Sequence, residues 1–453
     1  MKTLNKVKEI AFAVERAGGR TMMVGGCVRD RLLNTEVKDY DLEIYNLSAQ
    51  KLLDALKNIC EIDAVGMSFG VLKVKHFDID LALPRKENKS GRGHRGFIMD
   101  FSPELDFATA ASRRDFTINA IMQDAITGEI IDPWNGKLDL QKKILRHVSP
   151  AFAEDPLRVL RGMQFIARFD LSPDPETVKL SSILSQNELP PERIAAEWEK
   201  LLLKGFAIDK ALNFIRDTGW VNFYPELAAL INCPQNPQWH PEGDVWNHTL
   251  AVVTAAAEMR KNNPDDNLIF MLAALCHDFG KPACTLIEPD GRITSCGHDS
   301  LTTPAENFIT SIWRRKDLPE KVLPLISRHM HPWQLAANGS SDKAFRKLAL
   351  HAKRLDLLAD LAEADVKGIS MSKNERLARL QIIDRFREKC RILAIADSIP
   401  APLIMGRHLI ARGLKPDPEF KTLLDKCFDA QIAGEFSTLE QALKFLDKLL
   451  CEK

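Results

Sequence analysis

Two periods organise the apolar positions of this chain, and the change between them falls near residue 140. In the first stretch, RTMMV (20–24), YDLEIY (40–45), GVLKVKHF (70–77) and DIDLAL (78–83) have strand character, and TGEIIDP (127–133) predicts a hairpin with its turn. Ahead of them, Leu4, Val7, Ile10, Ala11 and Val14 recur at helical spacing, with Gly18-Gly19 as the stop. SAQKLLDALKNI (48–59) predicts a helix capped by Ser48. From Asp139 onward the 3.6-residue period takes over, as in PLRVLRGMQFIARF, ERIAAEWEKLLL, TLAVVTAAAEM and NLIFMLAALCHDFG. The expected fold is therefore multidomain, α/β plus all-α: a mixed-sheet head followed by a long helical body.

Length and punctuation divide that body. A chain of 453 residues is too long for one core, and about three domains is the natural expectation. LPPE (189–192) and NCPQNPQWHPEG (232–243) are candidate boundaries, and IPAPLIMGRH (399–408) a further hinge. These place a head over 1–140, a helical neck over 141–232, a second helical domain over 233–370 and a helical tail over 371–453. No apolar run approaches the length of a membrane span, so no membrane partner is expected. Nine cysteines without a CxxC pair read as reduced thiols of a cytoplasmic protein. The 62 basic and 62 acidic side chains cancel, so a nucleic-acid partner would need a local basic surface. PRKENKSGRGHR supplies one, with Arg85, Lys86, Lys89, Arg92 and Arg95 against Glu87.

The head carries the first chemical constellation. Asp39 and Asp41 stand at period-two spacing, which sends both carboxylates to one face while Tyr40 and Leu42 face the other. Two convergent carboxylates suit Mg²⁺, which bridges protein and triphosphate through hard oxygen ligands. Upstream, MVGGCVRDRLL runs a strand into Gly25-Gly26 and then a helix, so backbone N–H groups can approach phosphate oxygens. A phosphate cradle followed by a metal clamp is the layout of two-metal nucleotidyl transfer. SRRDFTINA adds Arg113, Arg114, Asp115 and Asn119, suited to ribose and triphosphate. AEDPLRVLR begins a helix with Asp155 as N-cap, which sets Asp155 and Arg158 one turn apart.

VGGCVRD, KDYDLE, RRDFTINA and RHVSPAFAEDPLRVLR, with PERIAAEWEKLL further on, resemble class II tRNA nucleotidyltransferases, the bacterial and eukaryotic CCA-adding enzymes and their poly(A) polymerase relatives. The resemblance covers about the first 230 residues. It implies Mg²⁺ on Asp39 and Asp41, with nucleotide phosphates near Gly25, Gly26 and Arg29. Arg113, Arg114, Asp115 and Asn119 would meet ribose and phosphates, with Arg161 in the same set. Asp155 and Arg158 become an amino-acid template. A carboxylate accepts from the exocyclic amine of C or A while a guanidinium donates to the ring nitrogen, and U and G offer the wrong groups. Glu154 is expected to orient Arg158 or nearby backbone, and Asp80 to be a strand aspartate. A flexible loop at 85–97 implies full CCA synthesis rather than CC-only addition.

The second constellation is made of histidines. His277-Asp278 closes an apolar helix, His248 lies about thirty residues upstream, and Asp365 about ninety downstream, on separate helices. Imidazole nitrogens with carboxylates suit a divalent transition metal or Mg²⁺, whose bound water attacks a phosphoester. The segment resembles the HD phosphohydrolase superfamily, which implies His248, His277, Asp278 and Asp365 as metal ligands. His298 and His329 are candidates for a second metal or a phosphate contact, and Lys281 for phosphate. The expected partners are tRNA, CTP and ATP, and the oligomeric state stays open. Narrower readings are A-only or CC-only addition, or a poly(A) polymerase; a reading of another class is an HD phosphohydrolase or regulator with an RNA-binding head.

Overall fold

In the computed structural model, residues 2–63, 71–89, 97–416 and 418–451 are described. Its contacts divide the chain into two units, Met1–Phe223 and Tyr224–Lys453. The basic segment's residues 90–96, including Arg92 and Arg95, lie outside the described residues.

The first unit is built on a seven-stranded mixed sheet. In chain order its strands are β1 (Arg20–Val24), β2 (Tyr40–Tyr45), β3 (Ile62–Asp63), β4 (Val71–Val74), β5 (Ile79–Ala82), β8 (Met122–Asp124) and β9 (Ile130–Ile131). A separate hairpin joins β6 (Arg85–Lys89) to β7 (Phe97–Phe101). The sheet order is β3-β4-β5-β2-β1-β8-β9, with β2 and β5 the one parallel pair and the rest antiparallel. The predicted helix forms over Lys2–Arg16 and buries Val7, Ile10, Ala11 and Val14 completely. They join Leu42, Ile44 and Leu81 in one apolar cluster, which is what an i, i+3, i+4 stripe over a strand face produces. Ser48 caps the Ala49–Leu56 helix through its Lys51 N–H.

The rest of the first unit is mostly helical, with one short parallel pair of Ile144–Leu145 on Ser172–Pro173. The Leu157–Phe169 helix packs on those of Pro191–Lys204 and Ile208–Asp217. Its apolar face meets Phe116, whose ring stands edge-on to Phe152 and Phe165. In the second unit, the helix Val245–Glu258 packs on Pro264–Cys276 and Leu355–Gly368. A Cβ on Gly368 would lie 2.4 Å from a Val252 methyl, so the close crossing requires glycine there. The tail helices Pro418–Ala433 and Leu439–Cys451 share a smaller cluster around Leu409, Leu423, Ala442 and Leu446. Among the described residues, no helix is long and apolar enough to cross a membrane.

Candidate active sites

In the first unit, β1 ends where a turn must bring backbone close to charge. Gly25 takes φ +71° and ψ −134°, a conformation that disfavours any side chain. A Cβ there would lie 3.4 Å from both Arg114 Nη1 and Asp41 Oδ2. Val24 pairs with Asp41 across the β1–β2 ladder, which fixes the carboxylate beside the turn. Asp39 stands immediately before β2 rather than within it, and the alternation still leaves Tyr40 and Leu42 buried and Asp41 exposed. Asp80 lies opposite Asp41 in the parallel pair. Low-dielectric protein packed on one side of Asp41 pushes its carboxyl above the ordinary value; Arg114 opposes this, and Asp39 and Asp80 add to it. Crowded carboxylates of this kind are relieved by a cation, so Asp39 and Asp41 fit a divalent ion.

A cavity of about 930 Å³ opens over this edge. Gly25, Gly26, Arg29, Asp39, Asp41, Arg113, Arg114, Asp115, Asn119, Asp155, Arg158 and Arg161 all line it. Glu154 does not; it accepts a bond from Arg113 Nη2 at 2.7 Å, rather than orienting Arg158 as the sequence suggested. Asp155 Oδ1 accepts from the Leu157 N–H, as an N-cap does, and Oδ2 accepts from Arg193 Nη2 at 2.8 Å. Asp155 and Arg158 are not bonded to each other by any described contact. Arg158 donates instead to the carbonyls of Ala151 (2.7 Å) and Arg113 (2.6 Å), which sets the plane of its guanidinium.

Behind these residues runs a buried polar chain. Arg29 Nη1 donates to Asn119 Oδ1 at 2.6 Å, and Asn119 Nδ2 donates to Asp115 Oδ1 at 3.0 Å. Asp115 Oδ2 accepts from Arg161 Nε at 2.8 Å. Burial opposes ionisation of Asp115 most strongly, but Arg161, Asn119 and the Phe116 N–H together hold its carboxyl below the usual range. Arg29 also stacks over the Phe169 ring at 4.3 Å.

The second unit gathers the histidines in a cavity of about 630 Å³. His248, His277 and Asp278 are each 1% exposed, and His329 is 3% exposed. His277 Nε2 faces His248 Nε2 at 3.4 Å and Asp278 Oδ2 at 3.2 Å. Asp365 Oδ1 lies 3.0 Å from His248 Nε2, and His298 Nε2 lies 3.3 Å from Asp278 Oδ1. The other ring nitrogens point outward to acceptors. His277 Nδ1 meets Ala274 O (2.9 Å), His298 Nδ1 meets Ser295 O (2.8 Å) and His329 Nδ1 meets Ile326 O (2.7 Å). Three imidazoles thus turn Nε2 inward as lone-pair donors. Both oxygens of Asp278 are buried with no well-directed hydrogen bond, although the Lys281 ammonium lies 2.7 Å from Oδ2. Unsatisfied carboxylate oxygens beside inward imidazole nitrogens fit a divalent ion. Among the described residues the side chains also form three overlapping metal-sized groups, His240/Glu242/His248, His248/His277/Asp278 and Asp278/His298/His329.

These groups set one another's charge states. Burial opposes ionisation of Asp278, but the facing His277 and Lys281 hold it well below the carboxylate range. Burial also disfavours a charged His248, yet Asp365 and Glu242 outweigh it and push the imidazole up to about 9. Burial pushes His329 down to about 4, reinforced by His277.

Sequence reasoning passed over several partners that complete the sites. Glu242 accepts from His248 Nδ1 at 2.8 Å and His240 Nδ1 at 2.9 Å, while its other oxygen accepts from the Ser370 N–H. Gln235 Oε1 accepts from Lys281 at 2.7 Å. Arg193, and the Phe169 ring under Arg29, complete the first site. Glu242 left one signal, an acidic residue in a Pro-Gly turn six positions before His248. The others left none that periodicity or spacing reads.

Comparison with known proteins places both units. The family model for the poly A polymerase head domain matches residues 21–146, and that for the HD domain matches 245–399. The multifunctional CCA protein of Actinobacillus pleuropneumoniae serotype 5b (strain L20) is 37% identical over 326 residues, which is 69% of this chain and 76% of that protein. That of Mannheimia succiniciproducens is 40% identical over 270 residues, 58% of this chain and 63% of that protein. Among solved structures, the Bacillus stearothermophilus CCA-adding enzyme in complex with CTP shares the fold at TM-score 0.64 and 19% identity, covering 100% of this chain and 98% of its own. The Thermotoga maritima CCA-adding enzyme complexed with tRNA does so at 0.59 and 15%, covering 99% and 96%.

Proposed function

This chain belongs to the multifunctional CCA protein family of tRNA nucleotidyltransferases, and from that we infer two chemistries on two separate sets of residues. The first unit adds CCA to the 3′ end of tRNA from CTP and ATP without a nucleic-acid template. In each step the RNA 3′-hydroxyl attacks the α-phosphorus and gives up its proton to solvent, the bond to the β-phosphate breaks, and pyrophosphate leaves with the charge. Asp39 and Asp41 would hold Mg²⁺, which would supply a more acidic hydroxyl and charge neutralisation for the leaving group. The Gly25-Gly26 turn and Arg29 cradle the triphosphate, and Arg113 and Arg114 hold ribose and phosphate oxygens. Asn119, Asp115 and Arg161 keep that cradle in place. Arg158, with its plane fixed by two carbonyls, and Asp155 select C and A by their Watson–Crick edges.

The observation that carries this reading is the Gly25 turn, whose left-handed φ favours glycine and brings backbone beside both Arg114 and Asp41, a cation and a carboxylate at one turn before a helix. It is tested with tRNA ending at the discriminator base, at C or at CC, given CTP and ATP, with the products sequenced. Completion of CCA from all three supports it, and no incorporation on any would overturn it. Stopping after CC, or adding A alone, would narrow it.

The second unit acts as a phosphohydrolase. His248, His277, Asp278 and Asp365 would hold a divalent ion, of the transition series or Mg²⁺, with His298, His329 and Lys281 toward the phosphate. Such an ion would supply Lewis acidity that makes water a nucleophile near neutral pH. Water adds to phosphorus, the ester P–O bond breaks, and the leaving alkoxide takes a proton. Nine unpaired cysteines support a cytoplasmic setting.

A further inference from the structure

We propose that Trp239 and Trp333 form a nucleobase-stacking subsite in the exposed part of the lining of the second unit's cavity. The chain has seven tryptophans, and the two that are exposed both line this one cavity. Trp198, Trp220, Trp246 and Trp313 are buried and Trp134 is half-buried against the first unit's core, so the other tryptophans are packing residues. Trp239 is 55% and Trp333 37% exposed. Neither stands on a loose segment. Trp239 and His240 both donate backbone N–H bonds to Asn236 O, and Trp333 sits in the first turn of the His331–Ala337 helix. The Arg379 guanidinium lies 5.9 Å from the Trp333 ring centroid, a cation extending the same π surface.

The cavity's lining is graded in exposure. Asp278, Lys281 and the imidazoles stand buried, where a phosphoryl group would be held, and the two indoles stand exposed. Its volume of about 630 Å³ suits a nucleotide-sized ligand. Indole faces stack on any base, because every base has a π face. The subsite therefore separates phosphoesters that carry a base from those that do not, and is tolerant of which base it is. An RNA 3′-terminal nucleotide and a free nucleoside monophosphate present the same group to it.

This rests on the hydrolase reading above, and the experiment keeps the two apart. The full chain loaded with Mn²⁺ is assayed on adenosine 3′-monophosphate, uridine 3′-monophosphate, tRNA ending in a 3′-phosphate, and glycerol 2-phosphate. Trp239→Ala and Trp333→Ala are each expected to raise KM for both nucleotides or for the RNA end about tenfold, the usual scale of a lost base stack. Hydrolysis of glycerol 2-phosphate should be unchanged, and the phenylalanine variants should recover most of the loss. Equilibrium dialysis of adenosine against the chelator-treated chain should show the same weakening without turnover. A larger effect on the RNA end than on the mononucleotides would identify the RNA as the source of the base. Equal losses on glycerol 2-phosphate and nucleotides, or no loss on any, would overturn the subsite. A wild-type chain that hydrolyses none of the four would instead overturn the hydrolase reading.

Discussion

The two cavities hold their acidic groups in opposite ways. In the first unit, Asp41 is open to water on a strand edge and its carboxyl is pushed above the ordinary value, with Asp39 and Asp80 adding to the repulsion. In the second, Asp278 is 1% exposed and held well below the carboxylate range by imidazoles and a lysine. The imidazoles there are already oriented, each through an outward Nδ1 contact. An open, mutually repelling pair suits an ion that arrives with a triphosphate and departs with pyrophosphate. A buried, pre-oriented set suits a resident ion. On the proposed reading the difference lies in what each site would exchange: pyrophosphate at every addition in one, water and the products of a phosphoester in the other.

Separate substitutions should expose that independence. Asp39→Ala or Asp41→Ala should lower nucleotide addition by on the order of 10³-fold, since charge stabilisation by such an ion is worth several kcal/mol. Hydrolysis by the second unit should be unaffected. A double His277→Ala, Asp278→Ala variant should do the reverse, and loss of both activities in either variant would break the comparison. Next in size, Arg158→Ala should relax discrimination between CTP and UTP by about 10²-fold, because two carbonyl bonds now hold that guanidinium in one plane. Unchanged selectivity in single-nucleotide incorporation would count against the template. Glu242→Gln should weaken divalent-metal affinity of the second unit by roughly 10–100-fold, the usual cost of losing a carboxylate behind a ligand histidine. Isothermal titration with Mn²⁺ reads this, and an unaltered affinity would leave Glu242 a loop residue.

What the sequence made legible follows the same divide. Strands 20–24 and 40–45 stand at the positions their patterns predicted, as short and almost continuously buried runs in which Arg20 and Asp41 are the more open positions. The helix Pro264–Cys276 opens on a polar turn and is apolar and buried from Leu268 onward, and that apolar run ends at His277-Asp278. Asp39, Asp41, Gly25 and Gly26 are close in sequence as well as in space, so their local spacing carries the geometry. Arg193 and Glu242 act on residues 38 and 6 positions away through side-chain bonds, and Gln235 reaches Lys281 across 46. Such pairings depend on how elements dock, which no periodicity encodes. For the same reason Arg113, not Arg158, proved to be the partner of Glu154.

The smallest effect tests whether the first cavity is as soft throughout as it is at Asp41. Asp115 is the counter-example within that cavity: 8% exposed, bonded to Arg161, Asn119 and the Phe116 N–H, and held below its ordinary ionisation range. A depressed carboxyl contributes stability that is present above the unfolded-state value and is lost as pH falls through the folded one. Asp115→Asn keeps the shape but gives up the charge on which the Arg161 guanidinium depends. It should cost about 1.5 kcal/mol at neutral pH, the lower end for bonds to charged groups, since Arg161 is partly open to water. The gap in denaturation midpoint between wild type and variant should then close as the pH drops below the usual carboxylate range. A gap independent of pH would mean that packing, not the ion pair, holds this wall. The cradle behind the nucleotide would then be no stiffer than the strand edge that carries the metal.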